Sequence, residues 1–405
     1  MRVLIAPDKF KGTLSAEAVA RSIAQGWRQI RPADELTLLP ISDGGDGFGS
    51  VLGRLLHART LSLTTTNAAG RPHRSRWWWV EDQHLAIIEA AQSNGLALLP
   101  EGKHHPFELD TRGVARLIEF ALRKGARHCI IGVGGSATND GGFGLAIGMG
   151  WVLIDRAGQR INNWTDLHRL ARIVPPTQDS PARPRHANTG VSKRLHLGPS
   201  GSTNGIAPCQ FTVATDVENP LLGPQGATRI YGPQKGLTPK DFPVAEKNLR
   251  RLAQVVERQL GFSSSTPGSG AAGGLGFGLM AFLGAERRLG FDLFAECAQL
   301  DRLLKQSDLV ITGEGSFDAQ SLMGKGVGQC IQRSSRQKRP VIVLAGHVAP
   351  AAQSASKTLR WSKGLCDLTS TGDAMSQPKF WLRRLAREAA LAWNAQARFP
   401  PRYRS

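Results

Sequence analysis

Apolar residues run through this chain in short bursts, most of them closed by glycine or a charge. Arg2–Ala6 is the first burst and predicts a buried strand. Ser15 stands where a helix N-cap belongs, with Glu17 in the first turn of a helix that runs to about Trp27. Leu36–Ile41 predicts a second strand and Phe48–Leu56 a second helix. Strand, loop and helix, twice over, is the grammar of a parallel sheet. The pattern then changes. Trp77-Trp78-Trp79-Val80 and Leu85–Glu89 flank a polar turn and predict an antiparallel hairpin, with the three tryptophans as strand packing. A helix over 112–124, a strand over His128–Val133, a helix around 141–150 and a strand over Gln210–Thr215 follow. Residues 246–260 place Leu249, Leu252, Ala253, Val256 and Leu260 on one helical face. Asp308–Ile311 and Val341–Ala345 are two more short strands that run into glycine, and Phe380–Ala397 reads as a closing helix.

One stretch has no such pattern. Residues 175–208 repeat Pro, Ser, Gly and Arg without apolar periodicity, as a mobile surface insertion does. The basic end after the last helix reads as disordered.

Composition narrows the class. The chain has 405 residues, 41% hydrophobic and 20% charged, which is globular rather than disordered. That length favours two domains. No run approaches the ~18 to 20 apolar residues of a membrane span, and the N-terminus reaches Arg2 and Asp8 too soon for a signal peptide. The five cysteines, Cys129, Cys209, Cys297, Cys330 and Cys366, are scattered and odd in number. They point to reduced thiols in the cytoplasm, not to disulfides or zinc. The net charge of +19 raises a nucleic-acid reading. Part of the excess, however, sits in 177–209 and 379–405, without a nucleic-acid motif. A solvated basic surface serving anionic substrates accounts for it equally.

The chemistry gathers in loops that follow strands, the place where open α/β sheets bind ligands. Ala6-Pro7-Asp8-Lys9-Phe10-Lys11-Gly12-Thr13 sets Lys9 and Lys11 before a helix start; they suit an anion or are plain surface lysines. Ser42-Asp43-Gly44-Gly45-Asp46-Gly47 offers Asp43 and Asp46 to a hard cation such as Mg2+, or uses them as turn residues. The longest loop, Gly132-Val133-Gly134-Gly135-Ser136-Ala137-Thr138-Asn139-Asp140-Gly141-Gly142, packs five glycines, two hydroxyls, an amide and a carboxylate into eleven residues. Such a loop can cradle phosphate through its backbone N–H groups.

Three further loops follow. Asp216 closes a strand, a good station for a catalytic carboxylate, and Gly232-Pro233-Gln234-Lys235-Gly236 comes close behind. Gly268–Gly276 is either a ligand loop or a close packing surface. Gly313-Glu314-Gly315-Ser316-Phe317-Asp318, with Lys325 beyond, sets Glu314 and Asp318 beside backbone donors, as phosphoryl transfer requires. Gly324-Lys325 is not a Walker A loop, because Ala319 stands where its first glycine belongs.

Taken in order, Ala6–Gly12, Asp43–Gly47, Gly134–Gly142, Asp216-Val217-Glu218-Asn219-Pro220-Leu221, Gly232–Gly236, Gly270–Gly274 and Gly313-Glu314-Gly315 with Asp318 and Gln320 resemble the type-1 glycerate kinase family of bacteria. The resemblance runs from residue 2 to about 346. It implies a flavodoxin-like parallel-sheet α/β domain built from both chain ends, 1–65 and 298–405, with a mixed α/β domain, 66–297, inserted between them. The active site is expected in the cleft. The family uses ATP and Mg2+ on D-glycerate, typically yielding 2-phosphoglycerate.

On that resemblance, Gly134, Gly135, Ser136, Thr138, Asn139, Asp140 and Gly270 cradle phosphates. Asp43, Asp46 and Glu314 hold Mg2+. Asp216 or Asp318 orients or deprotonates the glycerate hydroxyl, and Lys9, Lys11, Lys235 and Lys325 neutralise anionic charge. The rivals are a 3-phosphoglycerate-forming kinase, a kinase for another small hydroxy acid, and a basic nucleic-acid-binding protein on the same fold. The clustered carboxylates count against the last. Whether the chain forms a homo-oligomer is open.

Overall fold

A computed structural model describes residues 1–10, 12–176, 209–322, 326–352 and 356–398. The insertion over 177–208, Lys11, Lys325 and the basic end beyond 398 lie outside them.

From the N-terminus come β1 (Arg2–Ile5), α1 (Ala16–Arg28), β2 (Glu35–Leu38), α2 (Phe48–Leu55), β3 (Arg59–Thr66), β4 (Pro72–Val80) and β5 (Leu85–Glu89). Next are α3 (Arg112–Arg123), β6 (His128–Gly132), α4 (Phe143–Gly148), β7 (Val152–Asp155), β8 (Leu170–Val174), β9 (Gln210–Ala214) and α5 (Ala227–Tyr231). The chain continues with α6 (Phe242–Leu260), α7 (Ala271–Leu283), β10 (Glu286–Arg288), β11 (Leu309–Thr312) and α8 (Gly326–Arg336). It closes with β12 (Val341–Ala345), β13 (Leu359–Gly364) and α9 (Pro378–Arg398). No helix among the described residues is long and apolar enough to cross a membrane.

Two compact units result: residues 1–43 with 291–405, and residues 44–290. The sequence reading put the first junction at 65/66, and the structure moves it to 43/44. The cause is α2, which packs on the second unit's sheet. The Trp78 ring lies flat on that helix, so close that a Cβ at Gly49 would stand 1.8 Å from it and one at Gly53 2.4 Å. Glu89, at the end of β5, accepts from the N–H groups of Gly47 and Gly49, each at 3.0 Å. The second junction moves from 297/298 to 290/291, since Arg333 of α8 holds Asp292 at 2.8 Å.

In the first unit five parallel strands take the order β13-β12-β11-β1-β2. Counted along the chain this is the flavodoxin-type order. Helix α1 starts at its predicted cap, with Ser15 Oγ accepting from Ala18 N–H at 3.3 Å. It lies against α9 so closely that a Cβ on Gly26 would meet Arg383 O at 2.1 Å. Ile5, Ile23, Trp27, Ile311, Leu344 and Leu385 fill the core, each contributing about 1.5–3 kcal/mol on full burial. Strand β2 stops at Leu38, short of the predicted Ile41, because Pro40 carries no ladder donor.

In the second unit six strands take the order β10-β9-β6-β5-β4-β3. The first four are parallel and the β5-β4 and β4-β3 pairs antiparallel, so the predicted hairpin is there with one strand more. That extra strand, β3, was missed. It alternates threonine, serine and leucine along a sheet edge and buries little. The tryptophans divide by strand alternation: Trp78 faces α2, while Trp77 and Trp79 stand edge-on to each other, with Phe120 against Trp77. Packing is their role.

Candidate active site

In the second unit β5, β6 and β9 run parallel, so the loops at their carboxyl ends emerge on one edge of the sheet. The loop after β6 is tied down on several sides. Gly134 N–H donates to Gly44 O at 3.1 Å and Ala137 N–H to Asn94 O at 2.8 Å. Asn94 Nδ2 donates to Thr138 Oγ1 at 3.1 Å, and Asn139 Nδ2 to Thr228 Oγ1 at 3.0 Å. Glycine is required at this junction. Gly135 has φ +77°, and a Cβ there would stand 1.7 Å from Asp46 Oδ1; one on Gly134 would stand 2.4 Å from Gly45 Cα. The loops around 44–46 and 134–135 therefore touch backbone to backbone.

Asp140 holds the loop's far end. Its buried carboxylate accepts from Thr111 N–H at 3.0 Å, Thr111 Oγ1 at 2.8 Å, Gly142 N–H at 3.1 Å and Gly144 N–H at 2.9 Å. Burial, and then the charge of Asp110, raise its pKa to about 6 against those donors. With its oxygens so engaged, Asp140 fastens the loop to Thr111 and to the start of α4.

Lys235 lies buried beside this loop. Its ammonium donates to Ser136 Oγ at 3.0 Å and to Thr138 O at 2.7 Å. Burial pulls its pKa down to about 7, opposed by the charge of Asp140. It is thus a cation poised near neutrality, and an approaching anion would hold its proton in place. Three polar atoms in this region, Asn94 Oδ1, Asn139 Oδ1 and Ser269 Oγ, are buried without hydrogen-bond partners among the described residues. Such atoms mark a place for a ligand or water.

The second glycine run packs closely on its neighbours. Gly270 N–H donates to Asn219 O at 2.8 Å. A Cβ on Gly270 would meet Pro220 O at 2.3 Å, and one on Gly273 would meet Thr138 O at 1.9 Å. Ala272, Gly273 and Gly274 all adopt positive φ, a left-handed bend that lays this run against the first loop. Asp216, two residues past β9, is half-buried. Nearby Glu218 pairs with Arg287 at 3.5 Å.

The first unit assembles a different set. Asp8 N–H donates to Gly313 O and Ile41 N–H to Pro7 O, both at 2.8 Å. The loops leaving β1, β2 and β11 therefore open side by side. Burial, followed by the charge of Asp43, raises the Asp8 pKa to about 7, despite Lys9 and its N–H, which reaches Asp8 Oδ1 at 2.7 Å. Glu314 follows Gly313, whose Cβ would stand 1.8 Å from Leu344 O. Asp318 Oδ1 accepts from Ser321 N–H at 3.2 Å while Ser321 Oγ accepts from Asp318 N–H at 3.1 Å. This reciprocal bond caps the turn Ala319–Leu322.

A family profile described as the glycerate kinase family matches residues 3–394. The chain belongs to that family. It is 35% identical over 350 residues to a glycerate kinase of Bacillus subtilis, covering 86% of each chain. It is 35% identical over 347 residues to a glycerate 2-kinase of Escherichia coli, covering 85% of each. To a glycerate kinase of Halalkalibacterium halodurans it is 34% identical, over 97% of this chain and 98% of that one. The crystal structure of a candidate glycerate kinase 2 from Salmonella typhimurium LT2 superposes with a TM-score of 0.76 at 33% identity, covering 98% of this chain and 100% of that one. The protein is therefore an enzyme, a kinase.

For a glycerate kinase family member, the sites fall into two groups. Asp46, Gly134, Gly135, Ser136, Thr138, Asn139, Asp140, Lys235, Gly270 and Asp216 belong to the second unit; Lys9, Asp43, Glu314 and Asp318 belong to the first. Two carboxyl groups escaped the sequence reading as site residues. Glu89 is raised in pKa by burial while accepting the α2 amides, and Asp8 is raised by burial and then by the charge of Asp43. Each stands at or just past the carboxyl end of an apolar strand, the signal that exposed Asp216.

Proposed function

We propose that this kinase transfers the γ-phosphoryl group of ATP to D-glycerate, giving 2-phosphoglycerate. The observation that carries the reading is the buried Lys235 ammonium beside an amide-rich glycine loop, in a chain of the glycerate kinase family. Gly134, Gly135, Ser136, Thr138 and Asn139 line the phosphate side, with Lys235 countering its charge. Lys9 neutralises the substrate's carboxylate. Asp216 or Asp318 takes the role of orienting the glycerate hydroxyl and receiving its proton. The choice of 2-phosphoglycerate over 3-phosphoglycerate rests on the name of the Escherichia coli relative.

Mg2+ is part of the proposal. Among the described residues no group of three or more His, Cys, Asp or Glu side chains is placed to hold a metal. Mg2+, however, commonly takes only one or two carboxylates beside substrate phosphates. Asp8 and Asp43 fit that need: they are hard oxygen donors, and the charge of Asp43 helps push Asp8 up to about 7. Asp43 with Asp8, and Glu314 in support, would hold the ion, which would offset phosphate charge. The free cysteines agree with a cytoplasmic setting.

The test supplies ATP, Mg2+ and D-glycerate and follows ADP release, with phosphorus NMR of the product. A phosphomonoester on C2 is expected; one on C3 would overturn the product assignment, and no glycerate-dependent ADP would overturn the activity.

A further inference from the structure

A second concave site lies on the second unit, and none of the residues assigned above lines it. Its volume is about 640 Å³, within the range of pockets that take small metabolites. One wall is a stripe of α6, where Glu246, Lys247, Arg250 and Arg251 recur at helical spacing. Arg229 of α5 and His168 close it from other sides. Arg229 is held in place over the ring of Phe242, its guanidinium carbon 5.7 Å from the centroid, and Arg251 Nε is fixed on Leu170 O at 2.6 Å. Four cationic side chains thus face one small volume.

A solvated helix face would explain the cations alone. It does not explain Glu246, which is only 8% exposed. Its Oε2 accepts from Gly223 N–H at 3.3 Å. Its Oε1 is buried and has no hydrogen-bond partner among the described residues. An acceptor left so costs about 1–3 kcal/mol, and a donor on a bound molecule would remove that cost. The cationic rim calls for phosphoryl or carboxylate groups, and the orphaned oxygen calls for a hydroxyl between them.

We propose that this pocket binds a small phosphorylated polyol or hydroxy acid, at a site additional to the one where phosphoryl transfer occurs. The rim takes the anionic ends and Glu246 Oε1 accepts from a hydroxyl.

The probe is fructose 1,6-bisphosphate, with pyrophosphate as its hydroxyl-free counterpart, titrated calorimetrically into the full chain. Fructose 1,6-bisphosphate should bind with a Kd of about 1 mM or tighter, and pyrophosphate more weakly. The exposed double variant K247E/R250E should weaken the sugar phosphate at least about tenfold while keeping glycerate-dependent ADP release. R116E/R123E, with the same charge change on α3, should bind it as the wild type does. No binding by the wild type would overturn the proposal. So would equal weakening in both variants, or pyrophosphate binding as tightly as the sugar phosphate, since bulk charge would then suffice.

Discussion

The loops of the second unit and those of the first sit alike, at the carboxyl ends of parallel strands, yet they are built from opposite materials. In the second unit position comes from backbone meeting backbone, with glycine wherever a Cβ would collide, and the one ionised acceptor in the loop, Asp140, is consumed by four donors. What remains in the loop after β6 is amide and hydroxyl, with the buried Lys235 cation beside it. In the first unit burial, and then the nearby charge of Asp43, raises Asp8 to about 7. On the proposed function the β6 loop with Lys235 receives negative charge, and the acids of the first unit receive positive charge or a proton. Equal placement on a fold therefore does not imply equal chemistry; the side chains left over after packing decide it.

Charge removal should break the contrast most strongly. Asp318→Asn and Asp216→Asn separate the two candidates for receiving the hydroxyl proton. The variant that removes the true base should lose about 10²–10⁴-fold in kcat, and the other should stay within about tenfold. If both keep wild-type turnover, neither receives the proton.

Close contact between the two loops is tested next. Gly135→Ala puts a methyl into Asp46 at positive φ, and should cost about 1–3 kcal/mol in urea unfolding. Gly12→Ala, also at positive φ but with open space around it, should cost about 1 kcal/mol. Equal losses would mean that the close approach of the two second-unit loops carries no energy.

Smaller still is a pH effect on stability. Asp140 has a folded pKa of about 6, above its unfolded value of about 3.9, so the native state binds more protons between them. Its contribution is fully present below about pH 4 and is lost as pH rises through about 6. Asp140→Asn should flatten that decline between pH 4 and 6, whatever its overall cost. An unchanged slope would show that another group titrates there.

Much of this was legible in the residues. The core strands β1, β6, β11 and β12 are short apolar runs, and Gly132–Gly142 stood out because a simple turn needs neither its length nor its hydroxyls. Three things were hidden, each for a tertiary reason. Strand β3 owes its place to pairing with β4 rather than to its own hydrophobicity. Gly270 and Gly273 read equally as ligand loop or packing surface until their neighbours, Pro220 and Thr138, were known. The donors that anchor Asp140 were hidden because Thr111, which reaches it through N–H and hydroxyl, is distant along the chain.

The central claim is that the Lys235 ammonium, pulled down to about 7 by burial, receives the nucleotide's phosphates. Titration calorimetry of ATP at pH 8, repeated in buffers of different ionisation enthalpy, measures it directly. Binding should draw about one proton from the buffer as the lysine is recharged, and Lys235→Met should draw none and lose about 10²–10³-fold in turnover. Nucleotide binding with no proton uptake by the wild type, or full turnover in Lys235→Met, would contradict the claim.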